Sequence, residues 1–223
     1  MLIAGFQKLS MVDYPHKPCA VIFTPYCNFN CTYCHNEHIL GKDAPLMSED
    51  YVLDYLKKRR DMLEAVVVSG GEPTLQQNLS AFIETLKSLG YLVKLDTNGT
   101  KPEVLKQLIC DKLIDYVAMD IKAPECKYDA VTQSRCDLQA VKRSIFYLKN
   151  YGLPHEFRTT FAPELTREDI LEAVDLIDGA EKFYLQQYRA RKDGDPNPHP
   201  SSYVLETAEA IRAKIGVCEV RGL

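Results

Sequence analysis

Short apolar runs alternate with longer amphipathic stretches along most of the chain. The runs at 20–24 (AVIFT), 65–69 (AVVVS), 92–96 (LVKLD), 116–120 (YVAMD), 156–160 (EFRTT) and 182–186 (KFYLQ) are rich in β-branched and aromatic residues. Their length and composition predict strands. Their mostly continuous apolar character predicts a sheet buried on both faces. Between them, apolar residues recur at helical spacing. Leu75, Leu79, Phe82, Ile83, Leu86 and Leu89 share one face, and Gly90 follows as a stop. Thr100 and Pro102 open a second helix carrying Val104, Leu105, Leu108 and Ile109. Leu138, Val141, Ile145 and Leu148 mark a third. Thr166, followed by acidic residues and later by Gly179, brackets a fourth. Ser48 caps a helix with Val52, Leu56 and Leu63, and Ser201 or Ser202 starts a last one through Ile211 and Ile215.

Six strand-then-helix units in a row predict an α/β fold with parallel strands and right-handed crossovers. A curved partial barrel and a flat doubly wound sheet both satisfy that order. No linker, repeat or low-complexity segment divides the chain, so a single domain over 1–223 is expected. Residues 191–200 (RKDGDPNPHP) read as a loop.

Composition changes this picture little. At 223 residues, 46% hydrophobic and 26% charged, the chain is long enough for a sizeable core. A net charge of −4 gives no nucleic-acid footprint. No apolar run reaches the roughly 20 residues of a membrane span, and the first residues do not read as a signal peptide. A cytoplasmic protein is expected.

The cysteines change it more. There are eight, and a reducing compartment argues against disulfides. Cys27, Cys31 and Cys34 lie within CNFNCTYCHN, spaced C-x3-C-x2-C. A structural zinc site uses four protein ligands. His35 or His38 could complete one here, giving a zinc-stabilised module. The other five thiols are scattered and read as ordinary apolar residues, with Cys126 and Cys136 as remote candidates for a second site.

The unusual residues fall at the carboxyl ends of predicted strands. The thiols follow the first strand, GGEP (70–73) the second, DTNG (96–99) the third and DIK (120–122) the fourth. In parallel α/β folds that edge is where sites are built. Singly, each has a plainer reading: a tight turn for GGEP, an Asx turn for DTNG, a solvated ion pair for Asp120 and Lys122, a satisfied core residue for Arg158. Their convergence on one rim predicts a shared site.

The cysteine triplet with Tyr33 before its last member, followed by GGEP, resembles the radical S-adenosylmethionine (SAM) superfamily. CHN after the triplet, LDTNG and MDIK resemble the glycyl-radical-enzyme activases, the group of the pyruvate formate-lyase activating enzyme. GFQKLSMVDYP near the start, FRTTFAPELT and YLQQYR are similar to the anaerobic ribonucleoside-triphosphate reductase activating proteins.

This resemblance implies a partial (β/α)6 TIM-like barrel and an oxidoreductase. Three thiolates, Cys27, Cys31 and Cys34, would hold three irons of one [4Fe–4S] cluster, leaving the fourth iron to the methionyl group of SAM. Reductive cleavage would give a 5′-deoxyadenosyl radical that makes a glycyl radical on a partner enzyme. Tyr33 matches the aromatic position near the adenine. Gly70, Gly71 and Glu72 match the turn that accepts the methionyl ammonium. Asp96 and Lys122 match positions near SAM, with Asn36 and Arg158 as further contacts. Asp96, Thr97 and Asp120 match residues of a monovalent cation site. The expected partner is the anaerobic ribonucleotide reductase, and the expected electron donor a flavodoxin or ferredoxin. A partner of the pyruvate formate-lyase type, or a small-molecule substrate as in the deazaguanine-forming relatives, are the alternatives within the superfamily. Where the pyruvate formate-lyase activase has a histidine near its sixth strand, this chain has Gln187 and Tyr188. The short, cysteine-free stretch 36–65 leaves room for one cluster only.

Overall fold

The computed structural model describes residues 1–41, 43–191 and 194–223. Eight strands form one sheet: β1 (Gly5–Ser10), β2 (Cys19–Thr24), β3 (Ala65–Gly70), β4 (Leu92–Thr97), β5 (Tyr116–Asp120), β6 (His155–Phe161), β7 (Lys182–Gln187) and β8 (Val217–Arg221). Their spatial order is their chain order. A doubly wound sheet needs a reversal in that order, where the chain returns to the middle. There is none, so the parallel strands wind one way and curl into a partial barrel with β1 and β8 as edges. All pairs are parallel except β1 with β2, which is antiparallel.

The six predicted strands are present to within a residue or two. The partial barrel has two strands more than the six predicted, β1 and β8. Both pair on one side only, and their burial alternates weakly, so neither leaves a continuous apolar run.

The helices are α1 (Glu37–Leu40), α2 (Glu49–Lys58), α3 (Leu79–Ser88), α4 (Pro102–Cys110), α5 (Tyr128–Thr132), α6 (Leu138–Asn150), α7 (Arg167–Asp175) and α8 (Ser201–Arg212). Ser48 accepts from the Tyr51 amide, and Thr166 and Asp169 form a reciprocal capping box. The last helix starts at Ser201, as expected, with Pro200 at its N-cap position. Leu63 and Ile215, predicted on helices, lie just beyond them and are buried in the core. Of the predicted loop at 191–200, Lys192 and Asp193 lie outside the described residues; the described remainder contains no helix or strand.

The strands have two unlike faces. Ile22, Val68, Leu95, Met119, Phe157 and Leu185 belong to the large core that also holds the helix residues. The other face is apolar only at the amino ends of the strands. There Tyr14, from the β1–β2 connection, joins Cys19, Val21, Ala65, Val67 and Tyr116 in a separate small cluster. Further along, the same face turns polar at Ser69, Asp96, Asp120, Arg158, Thr160 and Gln186, all of which line one cavity. That change of character locates the site.

Candidate active site

The cavity measures about 420 Å³, within the range of small-molecule sites. Cys27, Cys31 and Cys34 form one wall. Their loop is held from several directions. Asn30 and Thr32 donate backbone bonds to Thr132 (2.9 Å) and Val131 (3.2 Å) of α5. Asn28 bonds Thr100 (2.9 Å) and accepts from Asn98 (3.0 Å), both after β4. Thr32 donates to Glu164, after β6. Arg191, after β7, donates to the Cys34 carbonyl (3.0 Å) and to Glu37 (2.9 Å). The loop that leaves β2 therefore spans the barrel mouth and touches the loops on the far side.

The thiols themselves are lightly engaged. Cys27 Sγ accepts from the Phe29 amide at 3.4 Å and lies 3.9 Å from Asn98 Nδ2. Burial pushes the Cys27 thiol up to about 11 and raises that of Cys31. Burial also lowers the pKa of His35, helped by Arg191 and Arg189. His35 lines the cavity but is exposed, and His38 is exposed on α1. Among the described residues, no three histidine, cysteine or acidic side chains converge to hold one metal ion. Three thiols of one loop lining a cavity suit a polynuclear cluster, in which each sulfur takes a different metal atom. Cys126 is exposed beside Glu172, at 4.0 Å, and neither it nor Cys136 lines the cavity.

The GGEP turn also lines the cavity, with its backbone against the start of the thiol loop. A Cβ on Gly70, where φ is +110°, would lie 2.4 Å from the Thr24 nitrogen; one on Gly71 would lie 1.9 Å from the Tyr26 carbonyl oxygen. Only glycine allows this approach of two backbones. Asn36 donates to the Gly70 carbonyl at 2.9 Å. The Glu72 carboxylate is fully buried and occupied within the protein. It accepts from Thr74 N (3.1 Å), Thr97 Oγ1 (2.7 Å) and Asn98 N (2.7 Å). It thereby ties the turn after β3 to the loop after β4. Burial raises its pKa, against those donors.

The floor is charged. Asp120 and Arg158 face each other across β5 and β6 and pair through Oδ1 and Nε. Arg158 Nη2 also pairs with Asp96 Oδ2 (3.1 Å), which accepts from Ser69 (3.1 Å). Lys122 pairs with Asp120 Oδ2 at 2.9 Å. None of these groups is a solvated surface charge. Burial alone would raise both aspartates, yet Arg158 with Lys94 holds Asp96, and Arg158 with Lys122 holds Asp120, below the ordinary carboxylate value. Burial alone would lower Lys122 and Arg158; their acidic partners raise both. Tyr33 is 6% exposed with its hydroxyl buried and unpartnered, and Lys122 Nζ stands 5.9 Å from its ring centre.

Every residue that the resemblance assigns to the cluster, SAM or the cation lines this one cavity, whereas Cys126, Cys136, His38, Gln187 and Tyr188 do not. On β7 the residue that faces it is Gln186. Gln187 instead bonds the His199 carbonyl (2.7 Å), and Tyr188 is buried. The alternation of buried Phe183 and Leu185 on the helix side could have shown this. Lys94, behind Asp96, was also missed; a lysine inside an otherwise apolar run was its signal.

Residues 21–177 match the family pattern described as the Radical SAM superfamily. Over 203 residues the chain is 39% identical to a Methanocaldococcus jannaschii protein named "Putative glycyl-radical enzyme activating enzyme MJ1227", covering 85% of this chain and 81% of that one. A second protein of that organism with the same description, MJ1632, is 31% identical over 161 residues, covering 69% of this chain and 60% of that one. The fold is shared with SAM-bound Streptococcus suis SuiB (TM-score 0.68, 17% identity, 88% of this chain and 48% of that one). It is shared too with a domain of a Bacteroides vulgatus pyruvate-formate lyase-activating enzyme (TM-score 0.56, 13% identity, 71% and 99%). The chain belongs to the radical SAM superfamily and, within it, to the glycyl-radical enzyme activating group. Its cofactors are a [4Fe–4S] cluster and SAM, and its partner is a glycyl radical enzyme. Among the described residues no helix is long and apolar enough to cross a membrane.

Proposed function

We propose that this activase generates the glycyl radical of an anaerobic ribonucleoside-triphosphate reductase, with Cys27, Cys31 and Cys34 holding the cluster. The observation that carries the site is the one cavity lined together by the thiols, the glycine turn and the paired charges. The partner rests on the segments at 5–15, 157–166 and 184–189 that are similar to the reductase-activating group.

When bound, the reduced cluster and SAM supply a 5′-deoxyadenosyl radical that takes hydrogen from a glycine of the partner. The chain's residues bind and orient. The thiols are soft ligands suited to iron. Gly70 and Gly71 let a methionyl ammonium approach backbone carbonyls, and Asn36 fixes that turn. Because the Glu72 carboxylate is already engaged, its role is to hold the turn in shape. Lys122 and Arg158 give the floor a positive face suited to the methionyl carboxylate. Tyr33 borders the adenine. A flavodoxin or ferredoxin supplies the electron.

The test is anaerobic reconstitution with iron and sulfide, reduction, and assay of 5′-deoxyadenosine from SAM, beside a Cys31→Ala control. Candidate reductases and pyruvate formate-lyase-type enzymes are then mixed in and examined for a glycyl radical signal. Cleavage lost in the control, with the radical on the reductase, supports the reading. A radical only on another glycyl radical enzyme reassigns the partner. A four-iron protein that cleaves SAM and modifies only a small molecule overturns the proposal.

A further inference from the structure

The sequence resemblance implies a monovalent cation held by Asp96, Thr97 and Asp120. The side chains present do not leave those oxygens to a metal cation. Thr97 Oγ1 donates to Glu72 Oε1 (2.7 Å) and accepts from the Gly99 amide (3.1 Å). Asp120 is paired by both oxygens, to Arg158 and Lys122. Asp96 has Arg158 and Ser69 at one oxygen. At the other it has Lys94, two residues back on the same face of β4.

Lys94 is 2% exposed. Its Nζ donates to the Asp13 carbonyl at 2.6 Å and lies 3.0 Å from Asp96 Oδ1. Oδ1 is buried, and the Lys94 ammonium is its ionic partner. A buried ammonium is desolvated and persists where a fixed anion compensates it. Position matters as well as charge. Asp96 lines the cavity with the thiols; Lys94 lines a second cavity behind it, which Asp13, Arg158 and Gln186 border on both sides. The ammonium thus reaches the carboxylate from outside the thiol-lined cavity, which Lys94 does not line. Across the floor, the cations Lys94, Lys122 and Arg158 pair directly with the carboxylates of Asp96 and Asp120. A metal cation at these oxygens would have to displace an ammonium or guanidinium already fixed there.

We propose that the Lys94 ammonium is a built-in counter-ion that takes the place of a monovalent metal cation beside Asp96, so that SAM binding by this chain needs no alkali metal. Lys94 is a positioning residue, and the inference rests on SAM lying against Asp96 but not on the identity of the partner.

The test uses cluster-loaded wild type, Lys94→Met and Lys94→Arg in choline chloride, then in KCl or NaCl at equal ionic strength. Equilibrium dialysis of SAM and thermal melting without SAM are both measured. Wild-type affinity is expected to change by less than about twofold between salts, and Lys94→Arg to be equally indifferent. Lys94→Met is expected to bind about tenfold more weakly in choline, to recover with K⁺ or Na⁺, and to melt higher in those salts. The melting readout needs neither SAM nor a partner, so it stands apart from the activase reading. A wild type that loses about tenfold in affinity without alkali metal overturns the proposal. So does a Lys94→Met protein that binds like wild type, or one that is weakened and restored by neither cation.

Discussion

The cysteine loop after β2 and the charged floor on β4–β6 are two halves of one cavity, built on opposite principles. The floor is complete in itself: each carboxylate has cations, and each cation has a carboxylate. The loop is incomplete where it matters. Its backbone and its asparagines are bonded on all sides, while its thiols have weak contacts and raised pKa values at Cys27 and Cys31. A group satisfied within the protein serves the fold first and the ligand second. A group left unsatisfied by the fold is completed from outside.

The contrast can be broken most sharply at the thiols. Cys31→Ala is expected to abolish the four-iron cluster and SAM cleavage while leaving the melting temperature within a few degrees of the wild-type apoprotein, about 1 kcal/mol or less. Iron content, visible absorption and melting of the apoprotein measure this. Large unfolding by that substitution would show the loop to be structural.

Removing the central cation of the floor has the reverse signature. Arg158→Met leaves Asp96 with Lys94 alone and Asp120 with Lys122 alone, and is expected to cost about 3 kcal/mol, read by urea denaturation of the apoprotein. A loss under about 1 kcal/mol would show the floor to be dispensable to the fold.

Acid sharpens the same point more gently. Asp96 and Asp120 are held below their unfolded values, so their pairing stabilises the protein above about pH 4 and is lost as pH falls through their native values. In Arg158→Met the pKa values rise, and acid unfolding is expected to begin at a higher pH. Unfolding curves for the two proteins that coincide from pH 2 to 6, after allowance for overall stability, would contradict this.

The smallest effect is expected at the rim. Arg191 is a partly exposed side chain, and Arg191→Ala should cost about 1 kcal/mol or less. Its mark should be local: faster amide exchange around Cys34 to Glu37, with β4 and β5 unchanged. Uniform exchange across the molecule would remove Arg191 from the support of the loop.

Much of this arrangement was legible in the sequence. Continuous apolar runs give the inner parallel strands, because a strand covered on both faces has little choice of composition. The thiols, GGEP, DTNG and DIK follow those strands directly, so their convergence needs only the parallel topology. Edge strands are less readable. Gly5–Ser10 and Val217–Arg221 pair on one side only and carry exposed polar residues that interrupt the apolar run. Side-chain commitments are less readable still. Nothing local to GGEP says that its glutamate is spent on Thr97 and Asn98, twenty-five residues on. Nor does LVKLD say which way its lysine points until the apolar neighbours Val93 and Leu95 are seen packed against the helices.

The contact at Gly71 reaches beyond the site. Its Cα stands where a single added carbon would collide with the Tyr26 carbonyl, one residue before Cys27. The two signature motifs, some forty residues apart in the chain, are physically one piece of backbone surface. They cannot be transplanted separately. A designer moving the thiol loop onto another barrel must carry the glycine turn with it, and a lineage that alters the path of one is free to do so only when the other moves in step.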